Sequence, residues 1–168
     1  MSESNDLEDK LDEPIRGEGK IQKEKTSVKR RRFYVEFAKT QDITKWKRPV
    51  YVIHEHYSRT HHWDLRFEDD GKMETWQLFK NPSQLPRKAQ KRLPIPIGAA
   101  LFEGEITQEY GAGKLKIWDS GTFDLVESNE NQFVADIRGE KLKGKYCIRH
   151  HEPSDIPRLD YWLFEKMK

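Results

Sequence analysis

Cys147 is the only cysteine in 168 residues, so no internal disulfide can form, and a reducing cytosolic or nuclear compartment fits best. Nowhere do 18 apolar residues run together, and the first residues lack the apolar stretch of a signal peptide, so no membrane association is expected. Aromatic residues are absent from positions 1 to 32, which hold eight acidic, nine basic and six apolar residues. That composition cannot bury enough surface to offset the entropy of ordering, and it predicts a disordered charged tail over residues 1–32. The tail switches sign along its length. Six acids and one Lys precede Pro14, whereas eight bases and two Glu span Arg16 to Arg32, ending in Lys29, Arg30, Arg31 and Arg32. Such a cluster reads as a nuclear-localisation signal, as an arm on phosphates, or as a solvated tail.

All six histidines and all 19 aromatic residues lie in the remaining 33–168 segment, which is large enough to form one domain with a real core. Period-two alternation dominates there, with short Gly-, Asn- and Asp-rich connections such as Asp69-Asp70-Gly71, Gly111-Ala112-Gly113 and Asp119-Ser120-Gly121. Strands are expected at 33–38, 50–56, 61–68, 72–80, 103–106, 114–118, 122–127, 132–138, 143–150 and 160–166. One helical turn is expected between Ser83 and Arg92, limited by Pro86 and Pro94. The predicted class is all-β: an antiparallel barrel of short strands with at most one short helix. The five Trp are read as core residues.

The chemically informative stretch runs from His54 to Glu68 and contains His54, His56, His61 and His62. If its second half is a strand, His62, Asp64, Arg66 and Glu68 share one face while Trp63, Leu65 and Phe67 share the other. Two imidazoles and a carboxylate can hold Mn²⁺, Zn²⁺ or Fe²⁺, and His56 meets His62 and Asp64 if the preceding strand pairs alongside. Arg66 follows on the same face, and its planar guanidinium suits forked recognition of phosphate. The same residues also fit an exposed face carrying an ordinary cross-strand ion pair.

These residues resemble the 3′-phosphoesterase domain of bacterial DNA ligase D and its stand-alone archaeal relatives. His56, His62, Asp64 and Arg66 match the family's spaced His, His, Asp and Arg; Trp76 to Ser83 looks like its Trp strand and Lys-Gly-Pro-Ser, and Lys91-Arg92-Leu93 its Lys-Arg-Leu. Phe102-Glu103-Gly104, Glu109 to Gly113, Trp118 to Thr122, Lys141 to Lys145 and Tyr161-Trp162-Leu163 continue the similarity in order, over roughly residues 50 to 166. The resemblance implies a compact β-barrel holding Mn²⁺, with Zn²⁺ or another divalent ion as the alternative, in its interior or mouth. It implies removal of a 3′-terminal phosphate or ribonucleotide from DNA or RNA ends to leave a 3′-hydroxyl, in DNA repair. His56, His62 and Asp64 would be the metal ligands, Arg66 a phosphate ligand, and Arg92 a weaker phosphate candidate. His62, Asp64 and Arg66 would carry the catalysis. Nucleic-acid 3′ ends, and a separate ligase or repair complex, are the implied partners of a monomeric protein.

The sequence departs from this family between Arg92 and Phe102. The connecting segment is about five residues shorter and carries neither the His nor the Tyr that the family places there. His54 stands where the family has Gln, and Arg32-Phe33-Tyr34 does not match its Arg-Asp-Phe. Two readings follow: an enzyme in which another side chain, such as His54, His61, His150 or Tyr110, fills the missing role, or a catalytically weakened relative that binds ends through metal without turnover. His150 and His151 are otherwise read as surface residues at a strand end.

Overall fold

In the computed structural model, residues 32–106 and 113–168 are described. The 1–31 stretch and the Glu109 to Ala112 motif fall outside them. Nine strands follow one short helix, α1 (32–38): β1 (Val50–Tyr57), β2 (His61–Asp69), β3 (Lys72–Leu78), β4 (Arg87–Pro96), β5 (Gly104–Ile106), β6 (Gly113–Asn129), β7 (Gln132–Gly139), β8 (Lys143–Glu152) and β9 (Tyr161–Lys166). The order is β1-β2-β3-β4-β9-β8-β7-β6-β5, every pair is antiparallel, and β1 also pairs with β6. That last pairing closes eight strands into a barrel and leaves β5 outside the ring on β6. Closure pairs β1 with β6 and so removes the free edge that an open sheet would leave on β1. No helix among the described residues is long and apolar enough to cross a membrane.

Alternation along the strands builds two cores. The larger draws on all eight ring strands, including Ile53, Leu65, Trp76, Ala89, Phe123, Phe133, Ile148 and Phe164, and therefore fills the barrel. The smaller joins Val50, Val52, Met73 and Ile95 to Tyr34, Ile97, Ala100, Phe102 and Leu115, so it lies on the outer face beneath α1 and the segment after β4. Four of the five Trp pack in or against these clusters within β-strands, as expected, and Trp46 flanks the smaller one. The Asp69-Asp70-Gly71 connection is a hairpin turn with both Asp70 and Gly71 at positive φ (50° and 82°), the backbone that Gly and Asp tolerate best.

Three expectations are corrected. Residues 33–38 form α1 rather than a strand, because Phe33 and Phe37, one helical turn apart, both meet the Phe102 ring edge-on at 5.1 and 4.9 Å. Val35, which a strand would place beside them, is 40% exposed. Second, 83–92 is not helical. From Arg87 the chain is β4, pairing β9 through Arg87, Lys88 and Ala89 and β3 from Ala89 to Pro96. The edge left open beyond Ala89 accommodates Pro94 and Pro96. Third, Asp119-Ser120-Gly121 is no turn. β6 runs through it as one 17-residue strand. Buried Asp119 accepts the Tyr51 hydroxyl (2.9 Å) and the backbone N–H groups of Glu140 and Lys141 (both 2.8 Å) and Leu142 (2.9 Å). The carboxylate thus fastens β1 to the β7–β8 turn at the barrel's closing seam.

Candidate active site

The register of β1, β2, β3 and β4 lays out a polar grid on the outer face. His56 stands opposite His62; His54 opposite Asp64, which faces Gln77, which faces Gln90; and Arg66 faces Thr75, which faces Arg92. Of these, His54, His56, His62, Asp64, Arg66, Thr75, Gln77 and Gln90 are all buried. The chemical face of β2 is the one read from its alternation, but it lies on the barrel's outer wall, not its interior, since Trp63, Leu65 and Phe67 take the inner side. Glu68, next on that face, is occupied elsewhere: it holds the Arg48 guanidinium and accepts the Val50 N–H at 2.9 Å.

Three ligand atoms converge. His56 Nδ1 lies 3.1 Å from His62 Nε2, His62 Nε2 lies 3.4 Å from Asp64 Oδ2, and Asp64 Oδ2 lies 3.9 Å from His56 Nδ1. Two donors each ~2.1 Å from one ion stand ~3.0 Å apart at a right angle and ~3.4 Å apart at the tetrahedral angle; the two shorter sides fall in that range and the longest needs a wider angle of about 136°, so the three atoms are close enough to share one ion. Thr60 sets the ring of His62: its carbonyl accepts from Nδ1 at 2.9 Å, which leaves the Nε2 lone pair toward the triangle. Burial would push the Asp64 carboxyl up, but His62 and Arg66 outweigh it and hold the group well below the ordinary carboxylate range. The residues present therefore fit a divalent cation, and among the described residues this is the one such cluster.

Arg66 adjoins that triangle through an Nη2 contact to Asp64 Oδ2 at 3.3 Å, while its Nε and Nη1 are buried with no hydrogen-bond partner. Gln77 Nε2 is likewise a buried donor without a partner. Donors of this kind are costly to leave unmade, and an anion would satisfy them. The Tyr34 ring lies 5.9 Å from the Arg66 guanidinium carbon, bringing α1 over the site. Arg92 is half-buried beside the same group, donating from Nη2 to Gln90 Oε1 at 2.7 Å and from Nε to Gln77 Oε1 at 3.4 Å.

His54 donates from Nε2 to the Phe102 carbonyl at 2.9 Å, which fixes the tautomer and leaves Nδ1 as an acceptor with no partner. Burial, reinforced by the Arg66 charge, lowers its pKa to about 3, so the ring is neutral. His61 and His150, the other described residues that could fill the missing role, lie elsewhere. His61 pairs with Glu55 at 2.8 Å and stacks between Tyr57 and Trp63. His150 is bound to Asp160 at 2.8 Å and stacked on Trp162, tying β8 to β9, and His151 is exposed. Tyr110 lies outside the described residues. Gln77, Gln90 and Thr75 escaped the sequence reading; the period-two argument applied to β3, with Trp76 and Leu78 inward, would have put Thr75 and Gln77 on the chemical face.

Known proteins resemble this chain in sequence. It is 34% identical over 130 residues to the multifunctional non-homologous end joining DNA repair protein LigD of Mycobacterium tuberculosis, covering 71% of this chain and 16% of that protein. The non-homologous end joining protein LigD of Mycolicibacterium smegmatis is 32% identical over 136 residues (70% of this chain, 17% of that one), and that of Pseudomonas aeruginosa is 35% identical over 111 (58% and 13%). The chain thus spans about a sixth of the length of these relatives. Residues 54–150, which include the entire His, Asp and Arg grid, match the family described as the DNA ligase D 3′-phosphoesterase domain, and the chain belongs to that family.

Proposed function

We propose that this domain is a metal-dependent phosphoesterase that heals nucleic-acid 3′ ends, removing a terminal phosphate or ribonucleotide to leave a 3′-hydroxyl. One observation carries the reading: the two unpartnered, buried donors of Arg66 beside three converging metal-ligand atoms. His56, His62 and Asp64 would hold the ion, Mn²⁺ with Zn²⁺ as the alternative, and the ion would supply Lewis acidity toward a phosphate oxygen. The chain's own residues do the rest. Arg66 binds the phosphoryl oxygens through Nε and Nη1 and stabilises charge that develops on them. Gln77 adds a neutral donor and Arg92 a second cation beside it. Thr60 keeps His62 in the tautomer that presents Nε2, and Asp64 stays ionised. Neutral His54 offers its Nδ1 lone pair as a hydrogen-bond acceptor within the same patch. Sealing the 3′-hydroxyl so formed needs a ligase activity that this site does not contain.

A second reading, a metal-dependent end-binding module, is favoured by the segment between Arg92 and Phe102. It ends β4 and forms a 3₁₀ turn in which Ile97, Gly98 and Ala99 are buried. It lends the polar patch the Phe102 carbonyl and neither an acid nor a base. Incubating the protein with Mn²⁺ and a labelled 3′-phosphorylated strand separates the two. Loss of the phosphate, seen as a mobility shift on a denaturing gel, supports the enzyme. Metal-dependent retention of an unaltered strand selects the binding module, and neither result sinks both.

A further inference from the structure

Beside the polar grid, an open groove of about 340 Å³ is lined by Phe79, Lys80, Pro86, Arg87, Lys88 and Tyr161. It holds three cations and no acid, with two aromatic rings. Phe79 is 37% exposed, and its ring stands edge-on to Tyr161 at 6.3 Å. Lys88 Nζ lies 4.7 Å from the Tyr161 ring centre. Arg87 is anchored by its Nε to the Asn81 carbonyl at 2.8 Å. Lys88 also meets Glu152 at 3.2 Å, but both partners are about half exposed, and a solvated pair of this kind exchanges readily for another anion.

The groove continues the site. Along β4, Lys88 falls on the same face as Gln90, two residues on, and Gln90 belongs to the grid. Trp63 faces Leu78 and Leu78 faces Ala89, and Phe79 follows directly where β3 ends, next to the start of β4 that carries Lys88. Lys88 in turn faces Leu163 on β9, the strand that Tyr161 opens. Three cations, exposed Phe79 and half-buried Tyr161 thus lie between the Gln90 end of the grid and β9.

We propose that this groove holds the single-stranded stretch of polynucleotide that leads to the 3′ end, with a base stacked on Phe79 beside Tyr161 and backbone phosphates on Lys80, Arg87 and Lys88. The inference rests on the reading that the Arg66 patch takes the terminal phosphate. The chemistry is that of sequence-tolerant strand binding, in which rings stack on any base and cations track the backbone.

The test is fluorescence anisotropy with 5′-labelled DNA and RNA single strands of two to ten nucleotides, ending in 3′-phosphate or 3′-hydroxyl, over a salt series. Wild-type affinity should rise with strand length. Phe79→Ala should weaken binding of the longer strands by about tenfold and flatten that rise, whereas Phe79→Tyr keeps it. Lys88→Glu should lower the slope of log affinity against log salt by at least about 0.7. Lys141→Ala, whose ammonium sits over Trp118, should bind as wild type does. Longer strands bound equally well by wild type, Phe79→Ala and Lys88→Glu would overturn the groove, as would a wild type that ignores strand length. If 3′-phosphate and 3′-hydroxyl ends bind alike while the Phe79 and Lys88 effects persist, the terminal-phosphate reading fails and the groove stands.

Discussion

Arg66 donates from Nη2 to Oδ2 of Asp64, the same carboxylate oxygen that faces His62 Nε2, while its Nε and Nη1 have no partner. One oxygen thus links the three atoms of the proposed metal site to the unpartnered Arg66 donors, and a phosphate held by Arg66 would lie beside an ion bound there.

Replacing Arg66 tests that linkage. Arg66→Lys keeps the charge but loses the fork, so it should lower kcat for 3′-phosphate removal by roughly 10²-fold or more, the scale of a lost transition-state donor. Steady-state kinetics on a 3′-phosphorylated strand measures it. Retention of more than half the activity would show that a point charge suffices.

The triangle predicts thermal stabilisation by metal. Mn²⁺ at a hundredfold excess over its Kd adds about 2.7 kcal/mol to the folded state, a rise in Tm on the order of 10 °C for a domain of this size. Differential scanning fluorimetry should show the rise in wild type and its loss in His62→Ala. A melting curve indifferent to Mn²⁺ and Zn²⁺ would remove the metal site.

Neutral His54 makes stability depend on pH. The unfolded chain takes up a proton at this ring near pH 6.5, while the fold resists it down to about pH 3. The unfolded state therefore binds more protons in that window, and stability falls with falling pH by up to about 1.4 kcal/mol per unit from this group. Urea unfolding in chelator at pH 7 and pH 5 should show a smaller loss for His54→Gln than for wild type; equal losses would mean that His54 is protonated in the fold.

Asp119 lies apart from the site, and its effect should be on stability. Asp119→Ala leaves three backbone N–H groups and the Tyr51 hydroxyl without their acceptor, and should cost about 3–5 kcal/mol in urea unfolding. Metal-induced stabilisation should survive wherever the variant folds. A cost below about 1 kcal/mol would show that water replaces the carboxylate.

The β2 alternation was enough to separate Leu65 from Asp64, and the hairpin connection to β1 was enough to bring His56 to His62. Strand existence was legible where turn residues and alternation agreed, as at Asp70-Gly71. It was not legible in β4, whose Arg87 to Arg92 run has helix-forming composition and becomes a strand because β3 and β9 supply its partners. For α1 the failure ran the other way. Phe33, Val35 and Phe37 alternate like a strand, and contacts far along the chain, the Phe102 ring among them, select the helix. Which wall of the barrel carried the chemistry was equally hidden, since alternation assigns faces without saying which one closes inward.

The most direct test of the proposed activity is release of inorganic phosphate from a 3′-phosphorylated single strand in Mn²⁺, with wild type and Asp64→Ala compared at equal folded concentration. Metal-dependent release by wild type, reduced at least about 10²-fold in Asp64→Ala, is the result predicted. A folded, metal-bound wild type that releases none, or an Asp64→Ala protein that matches it, would contradict the phosphoesterase reading.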